Sequence, residues 1–148
     1  MGFFTVEPET AGAPVAAQST GRVEFRFDGW LGDDMVRAHP AVLVRTEVKN
    51  ALLGLDRPTG FEVTKAHVRT SRFFRKQNPG KRLPRFWTVD ANGRAGRDDM
   101  GLMPSGTLVV SRRVLDVLLG FRVRRAVFAQ YTPWKQASRR TGKARRSE

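Results

Sequence analysis

The chain has no cysteine, and that one absence removes disulfides, thiolate metal sites and cysteine nucleophiles together. Histidine is nearly as scarce. His39 precedes Pro40 and His67 lies in a strand-like run, so no HxxxH or HExxH spacing is present to hold a metal. There is no G-x-S-x-G, and "MPSGT" (103–107) reads as a turn. "DANGRAG" (90–96) supplies glycines without the spacing or the Lys-Ser/Thr of a phosphate-binding loop. No apolar run approaches the ~18–20 residues needed to span a bilayer. The opening "MGFFTVEPETAGAPVAAQSTG" lacks the basic stretch of a secretory signal, and Val6 stands where a myristoylation motif needs a hydroxyl. The expectation is a cytoplasmic, non-enzymatic protein with no cofactor, no metal and no membrane partner.

What is present is apolar mass and positive charge. With 40% apolar residues, including ten Phe and three Trp, the 148-residue chain can bury one ordinary core, or two small units sharing one. Lys and Arg number 27 against 14 Asp and Glu, a net charge of +13. Such a balance favours a polyanionic partner: nucleic acid, an acidic membrane or an acidic protein. Arg far outnumbers Lys, which a GC-rich genome also produces without functional demand.

The chain repeats itself. "VLVRTEVKNALLGL" (42–55) lies without a gap over "LVVSRRVLDVLLGF" (108–121), and Asp-Asp-Met occurs at 33–35 and again at 98–100. Two copies at this separation describe a duplicated supersecondary unit rather than a solenoid. Each copy begins with a β-branched run, Val42–Val44 or Leu108–Val110, that reads as a strand. A hydroxyl, Thr46 or Ser111, then stands where it can cap a helix. Val48, Ala51, Leu52 and Leu55 in one copy, and Val114, Val117, Leu118 and Phe121 in the other, form an i, i+3, i+4, i+7 stripe. Gly54 and Gly120 are placed to close these helices in a left-handed conformation. Strand patterns follow at 60–68 and 122–131. Two further strands are read at 21–30, with Val23, Phe25 and Phe27 on one face, and at 84–93.

These pieces give an α+β fold: a mostly antiparallel sheet with two helices packed on it, built from two similar strand-helix-strand units. Residues 1–20 are expected to form a flexible lead-in. Residues 21–136 form a single domain whose units cover about 21–75 and 84–136. Residues 137–148 form a basic disordered tail.

The two Asp pairs admit two readings. Related by an approximate two-fold, Asp33, Asp34, Asp98 and Asp99 could converge into a cluster able to hold Mg²⁺ or Ca²⁺ or to raise one carboxyl pKa. Alternatively they shape turns ahead of a strand, where a short carboxylate accepts from backbone N–H groups. The Met after each pair suits a core plug. The segment "RTSRFFRKQNPGKRLPRFW" (69–87) carries Arg69, Arg72, Arg75, Lys76, Lys81, Arg82 and Arg85 with no acid, interleaved with Phe73, Phe74, Phe86 and Trp87. Cations that track phosphate and aromatics that stack on bases would make it a single-strand nucleic-acid surface. Aromatics at both ends also suit a connecting loop anchored in the core, with its charge facing water or an acidic protein. Arg72, Arg75, Arg82 and Arg85 are the candidate partner-binding residues.

The order "TGFEVTKAHV … LPRFWTVDANGRAGRDDMGLMPSGTLVVSRRVLDVLLGF" resembles the small bacterial immunity proteins of polymorphic toxin systems, of the myxobacterial type that includes the double-CXXCG group. The resemblance covers roughly residues 40–130. Its motifs, "TGFE", "LPRFWTV" and "RDDMG…LVVSRRVLDVLL", are structural rather than catalytic. It implies a protein that binds and neutralises a cognate toxin. The double-CXXCG cysteines are absent here, so no zinc-stabilised feature carries over. The positive charge departs from the acidic immunity proteins that mimic nucleic acid, and implies a toxin with an acidic surface. The alternative is a basic nucleic-acid-binding protein using the 69–87 segment and the C-terminal tail.

Overall fold

The computed structural model describes residues 2–16 and 23–132, so the expected basic tail at 137–148 lies outside the described residues. In chain order the elements are β1 (Phe3–Glu7), β2 (Glu9–Thr10), β3 (Gly12–Ala16), β4 (Val23–Phe27), β5 (Met35–Ala38), β6 (Ala41–Arg45), α1 (Thr46–Leu53), β7 (Phe61–Lys65), β8 (Val68–Thr70), α2 (Arg72–Gln77), β9 (Phe86–Ala91), β10 (Met100–Leu102), β11 (Leu108–Ser111), α3 (Arg112–Leu119) and β12 (Val127–Tyr131). The fold is α+β with mostly antiparallel sheets, as expected. The third helix, α2, was not foreseen.

The strands form three sheets, ordered β2-β5-β6-β9-β7, β10-β11-β1-β12 and β3-β4-β8. The first two are built alike. In each, a short strand that follows an Asp pair (β5, β10) pairs with the strand leading into the helix (β6, β11). That strand pairs with a third (β9, β1), which pairs with the strand after the helix (β7, β12). The register matches residue for residue: Trp87 lies opposite Val44, and Phe4 opposite Val110. Phe86-Trp87-Thr88-Val89 is therefore the counterpart of Phe3-Phe4-Thr5-Val6. The duplication begins at residue 3.

The units are interlocked rather than side by side. β1 opens the first unit in sequence but lies in the sheet of the second, and β9 opens the second but lies in the sheet of the first. The chain then returns to its own unit by a short parallel contact, Glu9 with Val36 in one copy and Gly93 with Gly101 in the other. The flexible lead-in expected over residues 1–20 is thus corrected. Its first part is a central strand, paired on both sides because Phe4 and Val6 bring the apolar burial that the second sheet needs.

One core joins the two matching sheets. Val6, Met35, Val42, Val44 and Val89 meet Met100, Leu108 and Val110, and Val48, Leu52, Val114 and Leu118 cover them from α1 and α3. The i, i+3, i+4, i+7 stripes face this core as the spacing requires. A second core lies between the other face of β5-β6-β9 and the small third sheet, formed by Phe25, Phe27, Val36, Leu43, Phe74 and Phe86. A sheet buried on both faces explains the unbroken Val42-Leu43-Val44, since neighbouring residues point to opposite cores. Phe25 and Phe27 are buried as the alternation predicts, but Val23, at the start of β4, is 53% exposed.

Local chemistry differs from the sequence reading in several places. Ser111 caps α3, its Oγ accepting from the Val114 N–H at 3.4 Å. Thr46 is not a cap: α1 has Arg45 at that position, and the Thr46 hydroxyl accepts from Trp87 Nε1 at 2.9 Å. Gly54 and Gly120 sit in the right-handed region, so neither closes its helix in a left-handed conformation. The strand expected over 60–68 breaks after Lys65, and only 127–131 of the strand expected over 122–131 forms. Two of the glycines that backbone contact requires face each other. Gly60, at φ +84°, accepts from the Asn92 and Gly93 N–H groups, and a Cβ on Gly93 would lie 2.5 Å from Gly60 Cα and 2.5 Å from the Met100 carbonyl oxygen. These two loops cross glycine on glycine.

Candidate functional site

The Asp pairs stand immediately before β5 and β10, and each reaches into the other unit. Asp34 ends the crossing from the first unit. Its carboxylate accepts from the Arg122 N–H at 2.8 Å and from Arg45 Nη1 at 3.1 Å, and its own N–H donates to the Arg122 carbonyl at 2.7 Å. Asp33, buried beside it, accepts from the N–H groups of Arg124 at 3.1 Å and Arg125 at 2.8 Å. Three amides of the segment following α3 therefore converge on this pair. That demand keeps 122–125 from continuing as a strand.

Asp99 does the reverse. Its carboxylate accepts from the Thr59 N–H at 2.9 Å, in the segment after α1, from Ser111 Oγ at 2.7 Å, and from Arg113 Nε at 3.0 Å and Nη2 at 2.7 Å. Arg113 also donates to the Arg57 carbonyl at 3.1 Å. The Arg113 hydrogen bonds, helped by Ser111 and Thr59 against the cost of burial, lower the Asp99 pKa from 3.8 to about 2. Asp98 caps only its own turn, accepting from the Arg94 N–H at 2.7 Å.

The four carboxylates are thus spent on backbone amides and guanidinium groups in two separate places. Among the described residues no group of three His, Asp or Glu side chains is placed to hold a metal ion. The convergent cluster is not formed, because each pair is drawn to the segment after the opposite helix rather than to the other pair. Met35 and Met100, next in line, are fully buried core plugs. Glu9 lies near Asp33, and burial first, then the Asp33 charge, raise its pKa, with Arg125 opposing.

The 69–87 segment is not a plain loop. It is β8, α2, a coil at 78–85 and the start of β9. Ser71 caps α2, accepting from the Phe74 N–H at 3.0 Å. That cap turns Phe74 into the second core, where it is wholly buried, and leaves Phe73 60% exposed. Phe86 is also buried, 5.1 Å from the Phe27 ring centroid and edge-on to Trp30 at 6.0 Å. Trp87 is half-buried, with Lys49 Nζ 4.0 Å from its ring centroid. Of the four aromatics, only Phe73 faces outward fully enough to stack on a base.

The cations gather differently. β8 and the 78–85 coil diverge to leave an open furrow of about 520 Å³ lined by Val68, Arg69, Thr70, Arg75, Lys81, Arg82 and Leu83. It adjoins a second recess of about 420 Å³ that shares Val68 and Leu83 and adds Lys65 and Arg85. No carboxylate lines either. Arg75 is held in place by donating to the Thr70 carbonyl at 2.6 Å, and Lys81 by donating to the Trp30 carbonyl at 3.0 Å. Arg69 pairs with Glu24 at 3.2 Å. Among the described residues, the side chains of Arg72, Arg82 and Arg85 have no intramolecular ion pair or hydrogen bond. The structure brings Arg75, Arg82 and Arg85 together. It leaves Arg72 outward on α2, away from both recesses. Arg69 and Lys81, cations of the same segment, line the furrow with them, and Lys65 joins from outside the segment because only the tertiary packing lays β7 beside the 78–85 coil.

Set against family models, curated proteins and solved structures, the chain finds no match. No helix among the described residues is long and apolar enough to cross a membrane.

Proposed function

We propose that the chain is a non-enzymatic binding protein that neutralises a cognate bacterial toxin, docking an acidic surface of that toxin on the basic furrow. One observation carries the reading: the 69–87 segment spends most of its aromatic side chains on its own core and presents its cations along an acid-free furrow. With Phe73 as its one outward-facing aromatic, the segment lacks the run of stacking platforms that makes single-strand binding sequence-tolerant and tight. It retains what steers an acidic protein into place. The toxin as partner rests on the resemblance of residues 40–130 to immunity proteins, and the choice of an acidic face on the charge. Arg82 and Arg85, lacking partners of their own, can form ion pairs with such a face without first breaking others.

The test is affinity capture by the tagged chain from its host lysate, nuclease-treated and washed at high salt. It is run beside a variant carrying Arg72→Glu, Arg75→Glu, Arg82→Glu and Arg85→Glu. Expected is one stoichiometric polypeptide, lost in the variant, whose expression arrests growth unless the wild-type chain is co-expressed. Recovery of nucleic acid alone, with nothing left after nuclease and a steep loss of binding with salt, sinks the proposal in favour of the nucleic-acid alternative.

A further inference from the structure

The furrow has a second property besides its charge: one wall is the open edge of a sheet. β8 is outermost in the order β3-β4-β8, and among the described residues its only strand partner is β4. The pairing is parallel, with Phe25 opposite Val68 and Phe27 opposite Thr70. The Phe25 N–H donates to the His67 carbonyl at 2.7 Å and the Ser71 N–H to the Phe27 carbonyl at 2.9 Å. In a ladder with this phase the odd-numbered residues of β8 turn their amides toward β4, and the even-numbered ones turn theirs away. The Val68 N–H and C=O and the Thr70 N–H therefore face the furrow. The Thr70 carbonyl, the next group on that edge, is already occupied by the Arg75 guanidinium.

We propose that this edge takes up an extended acidic segment of the partner as an added strand, an inference that rests on the acidic-protein reading above. The backbone of the segment would bond the Val68 and Thr70 groups about 4.8 Å from β8. Alternate side chains of a strand share one face, so carboxylates two residues apart on the segment would face the same wall of Arg75, Lys81, Arg82 and Arg85. The residues between them would meet Val68 and Leu83. Edge length limits the contact. Three residues at ~3.3 Å each offer about 10 Å, enough for the Val68 and Thr70 bonds, with the charges extending the grip beyond them. Isolated exposed edges in native proteins are commonly guarded by Lys, Arg or Pro. Here Arg69 lies on β8 and Arg75 covers the Thr70 carbonyl, while the Val68 groups and the Thr70 N–H are left to the furrow that Lys81 and Arg82 also line.

The experiment uses the full-length protein and a synthetic acetylated, amidated octapeptide of alternating Glu and Val, followed by titration calorimetry and by amide exchange. Expected is saturable one-to-one binding, slowed exchange at Val68 and Thr70, and about tenfold or greater loss in the Arg82→Glu, Arg85→Glu double variant. The same peptide N-methylated on alternate amides keeps its charge but cannot form the ladder, and is expected to bind at least about tenfold more weakly when the blocked amides are those facing β8. Equal binding by both N-methylated registers overturns strand addition while leaving acidic docking intact. Failure of the peptide together with tight binding of a single-stranded oligonucleotide overturns both. Failure of the peptide while a captured acidic protein still binds overturns strand addition alone.

Discussion

Asp99 is the residue at which the duplicated architecture can be measured. Its side chain is 7% exposed and joins Thr59 of the first unit to Ser111 and Arg113 of the second. Replacing it by asparagine keeps the shape and one acceptor oxygen, but removes the charge and leaves at least one of its donors facing an amide N–H. The sign of the pH dependence follows from the lowered pKa. The folded form holds Asp99 at about 2, below its ordinary 3.8. The stabilisation is therefore complete above about pH 5, and most of it is lost by pH 2. The gap from 3.8 to about 2 corresponds to roughly 2 kcal/mol. Solvent screening at Arg113, whose side chain is 41% exposed, reduces the electrostatic part to about 1–2 kcal/mol. With an unpaired donor added, Asp99→Asn should cost about 2–4 kcal/mol at pH 7. The assay is urea unfolding followed by tryptophan fluorescence at pH 7, 5, 3 and 2, with the slope m compared to confirm a common denatured state. The difference between wild type and variant should hold steady down to about pH 5 and then shrink. Asp98→Asn, which disturbs only the turn at Arg94, should cost less than about 1 kcal/mol. A loss at Asp99 below about 0.5 kcal/mol, or one that is the same at pH 2 as at pH 7, would refute the network as described.

Neighbouring phenylalanines should behave as opposites: Phe74→Ala is expected to cost about 3–5 kcal/mol, while Phe73→Ala, 60% exposed, should stay within about 0.5 kcal/mol, both read by urea midpoint. Met35→Ala and Met100→Ala fill matching core positions and should each lose about 2–5 kcal/mol; a loss at one and not the other would mean that the units do not share a core in the way described. Gly93→Ala should cost on the order of 3 kcal/mol, because the added methyl meets the Gly60 and Met100 backbone, which cannot swing aside. Thermal unfolding would show it, and an unchanged midpoint would contradict the close crossing. Ser111→Ala removes both the α3 cap and a hydrogen bond to Asp99, and should lose more than Thr46→Ala, which costs only the Trp87 contact, by about 1 kcal/mol or more.

The α+β class, the two matched helices and the faces they bury were legible in the sequence, because helical spacing and strand alternation are local and each residue's face follows from its neighbours. The duplication was legible where the copies share residues without a gap, at 42–55 and 108–121. Its opening strands were legible in principle, since Phe3-Phe4-Thr5-Val6 and Phe86-Trp87-Thr88-Val89 are nearly the same word. They were missed because β2, β3 and β4 stand between the first copy of that word and its Asp pair, and the corresponding stretch in the second copy is far shorter. The cations of the furrow were likewise named in part. Arg69, Arg75, Lys81, Arg82 and Arg85 lie in one acid-free run, but Lys65 reaches the adjoining recess from β7, outside that run.

By itself the sequence determined what each short segment would do: which residues turn inward, where α3 is capped, and that cysteine and clustered histidine chemistry is closed to this chain. Tertiary structure alone decided which strand pairs with which. A sequence pattern says that β1 and β9 each have a face to bury and an edge to satisfy, but not whose sheet will satisfy it. The exchange of those strands between units set the rest. It drew Asp34 to the segment after α3 and Asp99 to the segment after α1, and so made paired carboxylates into struts. Long-range pairing rewards burial and backbone hydrogen bonds wherever they can be completed, and that sum is not written in any one window of residues.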